Sequence, residues 1–167
     1  VARFKQAEVR QKGIAHGTVD LNALQIKILE AIPQAPVALG TIALPGPTGE
    51  SNQLSRFGRG VVMCLGPTQA DYDAQEQAVN LAGCSPILAH GHLEPGALGE
   101  LSDYDAVLSF AAPEELREIR LALAMRRGAL LPLISEVDPT ERLTIERHVC
   151  IDTTAAGGNA ALLAEAG

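Results

Sequence analysis

The sequence contains no tryptophan, and aromatic residues make up only 3% of it. Apolar residues account for 47% of the 167 positions, which is enough for one sizeable hydrophobic core. Because so few of these residues are aromatic, small aliphatic side chains must fill that core. Such side chains favour closely packed layers of helix and sheet.

Basic clusters and long apolar runs are also absent. The formal net charge is −7 and no stripe of Lys or Arg is present, which argues against direct binding to nucleic acid or an anionic membrane. Neither a signal peptide nor an apolar run long enough to cross a bilayer is found. Three scattered cysteines (Cys64, Cys84 and Cys150) without a CxxC motif predict a reduced, cytoplasmic protein. The chain begins at Val1 rather than Met, which predicts a piece of a longer polypeptide.

The middle of the sequence has the pattern of a strand–helix–strand unit. Residues 61–65 form an apolar run with a β-branched start, typical of a strand buried on both faces. Thr68 is predicted to cap the following helix, with Asp71 three residues on, and Gly83 suits the left-handed position after its last turn. A second apolar run, residues 86–89, completes a right-handed βαβ unit of a Rossmann-like layer. The helix face predicted to be buried contains Ala74, Ala78, Leu81 and Ala82.

Further elements on both sides extend this unit into an α/β fold with a mostly parallel sheet and flanking helices. Asp20 is predicted to cap a short amphipathic helix, and residues 31–52, rich in Pro and Gly, to form an extended connector. Residues 106–110 are a predicted third strand, and a helix begins at Pro113. Residues 129–134 are a predicted fourth strand, whose proline places it at a sheet edge or bulge.

The sequence from 143 to 152 alternates with a period of two, which predicts a strand. We find no evident partner for this strand in the sequence, so we predict that it pairs with another chain or domain. Residues 153–159 (TTAAGGN) are small and allow close approach of the backbone. The strand presents Leu143, Ile145, Arg147, Val149 and Ile151 on one face and Thr144, Glu146, His148, Cys150 and Asp152 on the other.

The turn after the first strand of the βαβ unit lacks most of a nucleotide fingerprint. Residues 66–71 read GPTQAD, with only the first glycine of G-x-G-x-x-G. Pro67 also removes a backbone donor, and Glu94, the nearest acid after the second strand, is predicted to lie in a loop. The sequence therefore predicts a structural Rossmann-like layer that holds no cofactor of its own.

The two histidines after the second strand are a candidate for a metal site. His90 and His92, with Glu94 close by, alternate along an extended segment. A zinc site needs three or four ligands with supporting hydrogen bonds, and no second cluster of ligands is visible. We therefore predict a surface loop without metal.

The cysteines are candidates for a nucleophile. Cys64 and Cys84 lie in or beside apolar strands and are predicted to be small buried hydrophobes. Cys150 and His148 share one face of the last strand, roughly 7 Å apart by strand rise. Neither an oxyanion donor nor a third group accompanies them, so we predict no catalytic pair.

Two stretches are distinctive enough to suggest a family. Residues 44–52 read LPGPTGESN and are followed at Arg59 by RGVVMCLGP, while residues 141–163 read ERLTIERHVCIDTTAAGGNAALL. Both resemble the C-terminal region of proline utilization A, the bacterial bifunctional enzyme of proline catabolism, and IDTTAAGGNA resembles that family's terminal motif most closely. The first four residues, VARF, weakly resemble the exit from the family's dehydrogenase domain.

The resemblance implies a parent polypeptide that joins an FAD-dependent proline dehydrogenase barrel to an NAD-dependent L-glutamate-γ-semialdehyde dehydrogenase. This chain would be its non-catalytic C-terminal domain, with an aldehyde dehydrogenase superfamily-like Rossmann fold that does not bind NAD. The terminal motif would fold against the dehydrogenase domain and help seal the passage of the intermediate between the two active sites. The residues implied in that contact are Glu141, Arg142, Arg147, Asp152, Thr153, Thr154, Gly157, Gly158 and Asn159.

The resemblance also implies a division of the chain into three parts. Residues 1–52 are a helical and Pro/Gly-rich connector from an upstream dehydrogenase domain, residues 53–138 a Rossmann-like domain, and residues 139–167 a terminal strand and lid motif. The family's FAD barrel, catalytic Cys loop and NAD site are missing from this sequence, so both cofactors would belong to the parent.

Two rival hypotheses come from other functional classes. The first is an autonomous nucleotide-binding or aldehyde dehydrogenase-like enzyme that uses the crevice of the βαβ unit. The incomplete turn at residues 66–71 argues against it. The second is an oligomerisation module in which copies of the chain pair through the terminal strand.

Overall fold

The structure, a computed structural model, describes residues 17–32 and 37–152. These residues form a four-stranded parallel sheet flanked by helices and a separate three-stranded antiparallel sheet. The helices are α1 (Leu21–Ala31), α2 (Gln69–Leu81), α3 (Pro113–Met125) and the short α4 (Thr140–Leu143), with a 3₁₀ helix at Pro95–Gly99. The strands are β1 (Ala38–Leu44), β2 (Glu50–Gly58), β3 (Val61–Cys64), β4 (Ser85–Leu88), β5 (Ala106–Leu108), β6 (Leu133–Ile134) and β7 (Thr144–Asp152).

The parallel sheet has the strand order β4-β3-β5-β6, and its central strand β3 is buried along its whole length. Successive side chains of a strand point to opposite faces, so β3 supplies both layers of the core. Val61 and Met63 pack with α1 and α3, whereas Val62 and Cys64 pack with α2 and α4. Each fully buried aliphatic side chain of this kind contributes about 1.5–3 kcal/mol. The arrangement confirms the predicted parallel α/β layer.

Both ends of α2 form as the sequence predicts. The Thr68 hydroxyl accepts from the backbone N–H of Asp71, and the Asp71 carboxylate accepts from the backbone N–H of Thr68, which completes a capping box. Gly83 follows the last turn with φ of 66°, a left-handed conformation that favours glycine.

The buried face of α2 agrees with the prediction only in part. Ala82 is buried and Ala78 half-buried as predicted, whereas Ala74 and Leu81 are exposed. The larger residues that face the core are Tyr72, Gln75 and Val79. The large side chains of Tyr72 and Val79 bury more apolar surface than the predicted alanines, and they set the rotation of the helix on the sheet.

Strand β6 is shorter than predicted, since only Leu133–Ile134 of the expected residues 129–134 pair with β5. The carbonyl of Pro132 accepts from the N–H of Val107 at 3.0 Å, so the proline stands just before the strand at the edge of the sheet. Its missing N–H therefore costs no ladder bond within the sheet, and the predicted edge position is confirmed.

The three-stranded sheet overturns two predictions. Residues 31–52 are not only a connector, because they contain β1 and the beginning of β2. Strand β7 has a partner within the chain, since it pairs antiparallel with β2 from Glu50↔Asp152 to Gly58↔Thr144. The sequence of β2, ESNQLSRFG, contains no β-branched residue and therefore gave a weak strand signal. Strand β2 crosses the predicted boundary between residues 52 and 53. The proposed division into three parts stays a prediction.

A compact junction joins the two sheets. The backbone N–H of Arg59 donates to the Leu143 carbonyl at 2.8 Å, and the Arg59 side-chain Nε donates to the Arg142 carbonyl at 2.7 Å. The thiol of Cys84 also donates to the Leu143 carbonyl, at 3.2 Å. Leu143 itself is fully buried beside α2. These contacts fix where β2 leaves the parallel layer and where β7 begins.

No helix within the described residues is long and apolar enough to span a membrane.

Candidate interdomain surface and the filled nucleotide crevice

In doubly wound sheets, ligands bind where neighbouring strands send their helices to opposite faces. Here that point lies at the carboxyl ends of β3 and β5, which lead to α2 and α3. The two loops hydrogen-bond to each other there: Leu65 N–H donates to Leu108 O at 3.0 Å, and Phe110 N–H donates to Gly66 O at 3.2 Å. The chain's own backbone therefore bridges the place where a crevice would open.

The buried amide of Gln75 fills the turn after β3. Its Oε1 accepts from Gly66 N–H at 3.1 Å, and its Nε2 donates to Gly66 O at 2.9 Å. The ring of Tyr72 closes the other side, since a Cβ on Gly66 would lie 2.7 Å from it. The Tyr72 hydroxyl donates to the carbonyl of Ala89, and burial raises the pKa of Tyr72 to about 12.

The amino terminus of α2, the usual position for a phosphate, holds a carboxylate of the chain itself. Asp71 is buried, and its Oδ2 accepts from the N–H of Thr68 at 3.1 Å and from the Thr68 hydroxyl at 2.6 Å. Pro67 supplies no N–H at all. A negative charge in this position is stabilised by the helix dipole and opposes the entry of a second anion.

The antiparallel sheet of β1, β2 and β7, called the outer sheet below, is exposed on both faces. Every residue of β7 after Ile145 is exposed, and all of β1 except Leu44. The register gives the sheet two sides. The thiol face contains Ile42, Leu44, Leu54, His148 and Cys150, and the guanidinium face contains Ala43, Phe57, Arg147, Val149 and Ile151.

The guanidinium face combines a fixed cation with exposed aliphatic side chains. The Arg147 guanidinium carbon lies 4.9 Å from the centroid of the Phe57 ring, a cation–π contact that holds the arginine against the sheet. Val149 is 52% exposed and Ile151 56% exposed. This face therefore offers apolar surface beside a positive charge.

On the thiol face, Cys150 donates a hydrogen bond to the Glu50 carboxylate at 2.8 Å. That bond raises the pKa of Cys150, which is the reverse of what a nucleophilic cysteine requires. His148 stands opposite Leu54 in the register. The geometry thus couples the thiol to an acid from β2 rather than to the histidine on its own strand.

The structure separates the residues that the resemblance implies in interdomain contact. Glu141 and Arg142 lie on α4 at the junction, where Arg142 forms an exposed ion pair with Glu136 at 3.3 Å. Arg147 and Asp152 lie on β7 but on opposite faces of the outer sheet. The other implied residues (Thr153, Thr154, Gly157, Gly158 and Asn159) lie outside the described residues.

The two histidines after β4 have separate neighbours. His92 Nε2 lies 2.7 Å from Glu94 Oε1 in an exposed pair, while the His90 ring lies 4.6 Å from the Tyr72 ring. Across residues 17–32 and 37–152, no three His, Cys, Asp or Glu side chains are grouped so as to hold a metal ion.

Sequence reasoning overlooked three residues that matter here. Gln75 shares the face of Tyr72 and Val79 at helical spacing, so its burial could have been inferred from the periodicity. Glu50 contacts Cys150 and Phe57 contacts Arg147 only because β2 pairs with β7, and no local pattern in β2 reveals that pairing. Cys64 and Cys84 are buried as predicted, and burial raises the pKa of Cys64 to about 12.

Comparisons with known proteins find similarity to the bifunctional protein PutA. The sequence is 32% identical over 143 residues to the bifunctional protein PutA of Salmonella typhimurium and 30% identical over 143 residues to PutA of Escherichia coli. Each match covers 72% of this chain but only 11% of the relative. A solved structure of proline utilization A with proline bound in remote sites matches 56% of this chain and 13% of its own, with 27% identity and a TM-score of 0.48. No protein-family model matches the sequence.

Proposed function

We propose that this chain is a non-catalytic domain of a PutA-like polypeptide. The chain is homologous to a segment of the bifunctional protein PutA, and the match covers 72% of the chain. Its outer sheet would cover the L-glutamate-γ-semialdehyde dehydrogenase part of that polypeptide. By covering it, the sheet would help close the passage that carries the intermediate from the proline dehydrogenase part. FAD and NAD would be held by those other parts.

The filled crevice supports a non-catalytic role. The amide of Gln75 occupies both backbone groups of Gly66, and the carboxylate of Asp71 occupies the amino terminus of α2. A pyrophosphate could enter only by displacing a satisfied buried amide and by approaching a buried negative charge. Both steps are unfavourable.

The observation that carries the covering role is the exposure of the outer sheet on both faces and along two edges. No further strand of the described residues pairs with the outer edge of β1 or of β7. Open edges and exposed aliphatic residues such as Ile42, Val149 and Ile151 are liabilities in an isolated domain and are typical of a surface that meets a partner. In a PutA-like polypeptide the nearest partner is the rest of the same polypeptide.

The covering role predicts that charges on the guanidinium face uncouple the two reactions of the parent. We expect the double substitution Val149→Glu, Ile151→Glu to slow conversion of proline to glutamate several-fold and to lengthen the lag before NADH appears. Oxidation of proline at the FAD site should stay at the wild-type rate. The measurement compares coupled NADH formation with proline-dependent reduction of an artificial electron acceptor.

Met125→Glu is the matched control, because Met125 is 85% exposed at the end of α3, which packs against the 3₁₀ helix and β6. It should leave both rates unchanged. Wild-type coupling in the double variant would overturn the covering role. In a separate calorimetric titration of the isolated chain, saturable NAD binding at micromolar concentration would favour the autonomous nucleotide-binding protein instead.

A further inference from the structure

Charge is distributed unequally between the two faces of the outer sheet. The register places every acidic residue of its three strands (Glu50, Glu146 and Asp152) on the thiol face. Within these strands, all of whose residues the structure describes, the guanidinium face has no acidic residue, and its single charged side chain is Arg147. The whole chain has 20 acidic and 13 basic residues. An acid-free face on so acidic a protein suits a negatively charged partner.

The Arg147 guanidinium is held in place without being neutralised. It lies over the Phe57 ring, 4.9 Å from the centroid, and the ring shields one side of its plane from water. Across residues 17–32 and 37–152, no carboxylate forms an ion pair with it. Arg56, on the opposite face of the same two strands, has Glu146 at 3.7 Å. The two arginines therefore differ in whether the described chain supplies their counter-ion.

Apolar side chains share the face of this cation. Val149 is 52% exposed, Ile151 is 56% exposed and Ile145 is half-buried, all on the side of Arg147. A surface that covers these side chains excludes water from the guanidinium as well. Burying an uncompensated charge is costly, whereas the attraction between opposite charges strengthens once water is excluded. A surface that covers this face must therefore bring an anion to Arg147.

A second copy of the chain does not meet this requirement through the same face. In a two-fold symmetric contact each copy presents the same surface to the other. Two guanidinium faces laid together bring two arginines and no carboxylate into the contact, since the strands of this face have none. The occupant must be a surface of another kind.

We propose that the guanidinium face is the side of the outer sheet that meets the dehydrogenase part of the PutA-like polypeptide, and that Arg147 pairs there with an Asp or Glu side chain set in apolar surface. The guanidinium fork donates two parallel hydrogen bonds to that carboxylate. Val149 and Ile151 cover the apolar groups around it. The thiol face, with its three acidic residues, stays in solvent. This proposal rests on the proposed covering role and adds the face and the chemistry of the contact.

Zero-length crosslinking in the PutA-like polypeptide tests the contact. Arg147→Lys introduces an amine that a water-soluble carbodiimide joins only to a carboxylate in direct contact with it. Mass spectrometry of the digested protein should find position 147 linked to an Asp or Glu of the dehydrogenase part. Arg56→Lys is the matched control, because it places the same amine on the same two strands but on the opposite face. It should link to Glu146 of its own sheet and to no residue of the dehydrogenase part.

Arginine modification tests the same contact without a substitution. Arg56 and Arg147 are both exposed within the described chain. In the wild-type polypeptide, phenylglyoxal should modify Arg56 several-fold faster than Arg147, because the partner covers only Arg147. The double substitution Val149→Glu, Ile151→Glu should remove that difference.

The proposal is overturned if position 147 links to no residue of the dehydrogenase part, if it links only to a second copy of this chain, or if the two arginines react alike in the wild type. Any of these results combined with lost coupling in the double variant would reject the carboxylate contact and keep the covering role. A link to the dehydrogenase part combined with wild-type coupling in the double variant would keep the contact and reject the covering role.

Discussion

At the scale of single residues, Gln75 determines the character of the crevice. A buried primary amide has few ways to satisfy both its donor and its acceptor, and the Gly66 backbone offers one of each. These two hydrogen bonds fix the turn after β3, and the Gln75 side chain occupies the space inside it. The same residue is thus expected to matter for stability and to explain the lack of a phosphate cradle.

Gln75→Leu should destabilise the chain by about 1–3 kcal/mol, because it leaves the Gly66 N–H buried without a partner. The Gly66 carbonyl keeps its bond from Phe110 N–H, which limits the loss. Gln77→Leu is the matched control, since Gln77 is exposed on the same helix, and it should change stability by less than about 0.5 kcal/mol. Urea denaturation measures both; equal effects of the two substitutions would contradict the assigned role.

Contacts between residues close in the sequence could be predicted from it, whereas contacts between residues distant in the sequence could not. Thr68, Asp71 and Gly83 were predictable because a helix cap depends on residues within one turn of each other. The bond between Cys150 and Glu50 joins residues 100 positions apart, and nothing near either residue indicates it.

At the scale of elements, the outer sheet should behave as one cooperative unit of lower stability than the parallel layer. Its strands are exposed on two faces, whereas β3 and β5 are entirely buried. We expect the amides of β2 and β7 to exchange together and at least about tenfold faster than those of β3 and β5. Native-state hydrogen exchange gives this comparison directly.

Arg59→Met should speed exchange in β2 and β7 without affecting β3, because it removes the side-chain bond to Arg142 O at the junction. Arg56→Met is the control, since the contacts of Arg56 are exposed and stay within the outer sheet: an ion pair with Glu146 at 3.7 Å and a hydrogen bond to the Thr144 hydroxyl at 3.5 Å. If the strands exchange at different rates, or if the two arginines act alike, the outer sheet is not a unit attached at the junction.

The sequence allowed β7 to be predicted because its side chains alternate cleanly, but it did not reveal β2. The polar residues of β2 fit a strand only because β1 and β7 lie on either side of it. Strand pairing is decided by partners distant in the sequence. For this reason the sequence predicts a partner for β7 in another chain or domain, although its partner β2 lies in the same chain.

At the scale of the whole molecule, the burial of one thiol and two phenols makes the free energy of unfolding decrease as the pH becomes alkaline. Burial raises the pKa of Cys64, Tyr72 and Tyr104 each to about 12, from usual values of 9 for the thiol and 10 for the phenols. Above pH 9 the unfolded chain therefore loses protons that the folded chain retains. Folded-state stability should fall between about pH 9 and pH 12, by up to about 1.4 kcal/mol per pH unit for each titrating group.

Urea denaturation at pH 7, 9 and 10.5 tests this dependence. Tyr104→Phe should flatten the slope between pH 9 and pH 10.5, since it removes one titrating group, while lowering stability at pH 7 through loss of the bond to Leu98 O. A slope identical to that of the wild type would show that the Tyr104 phenol does not contribute.

The class of the fold was predictable at this scale because strand, helix and turn signals agree along residues 61–89 and 106–125. The presence of a second sheet was not, since two of its strands precede the parallel layer in sequence and the third follows it.

That placement has a consequence for the order in which the molecule can form. The whole parallel sheet and helices α2 and α3 lie between β2 and β7 in the sequence, so pairing these strands closes a loop that contains them. Closing so long a loop in an unfolded chain is entropically costly, and a folded layer removes most of that cost by holding Arg59 and Leu143 in contact. The surface proposed for the partner is therefore assembled last, and a chain whose core has not folded has no completed surface to offer.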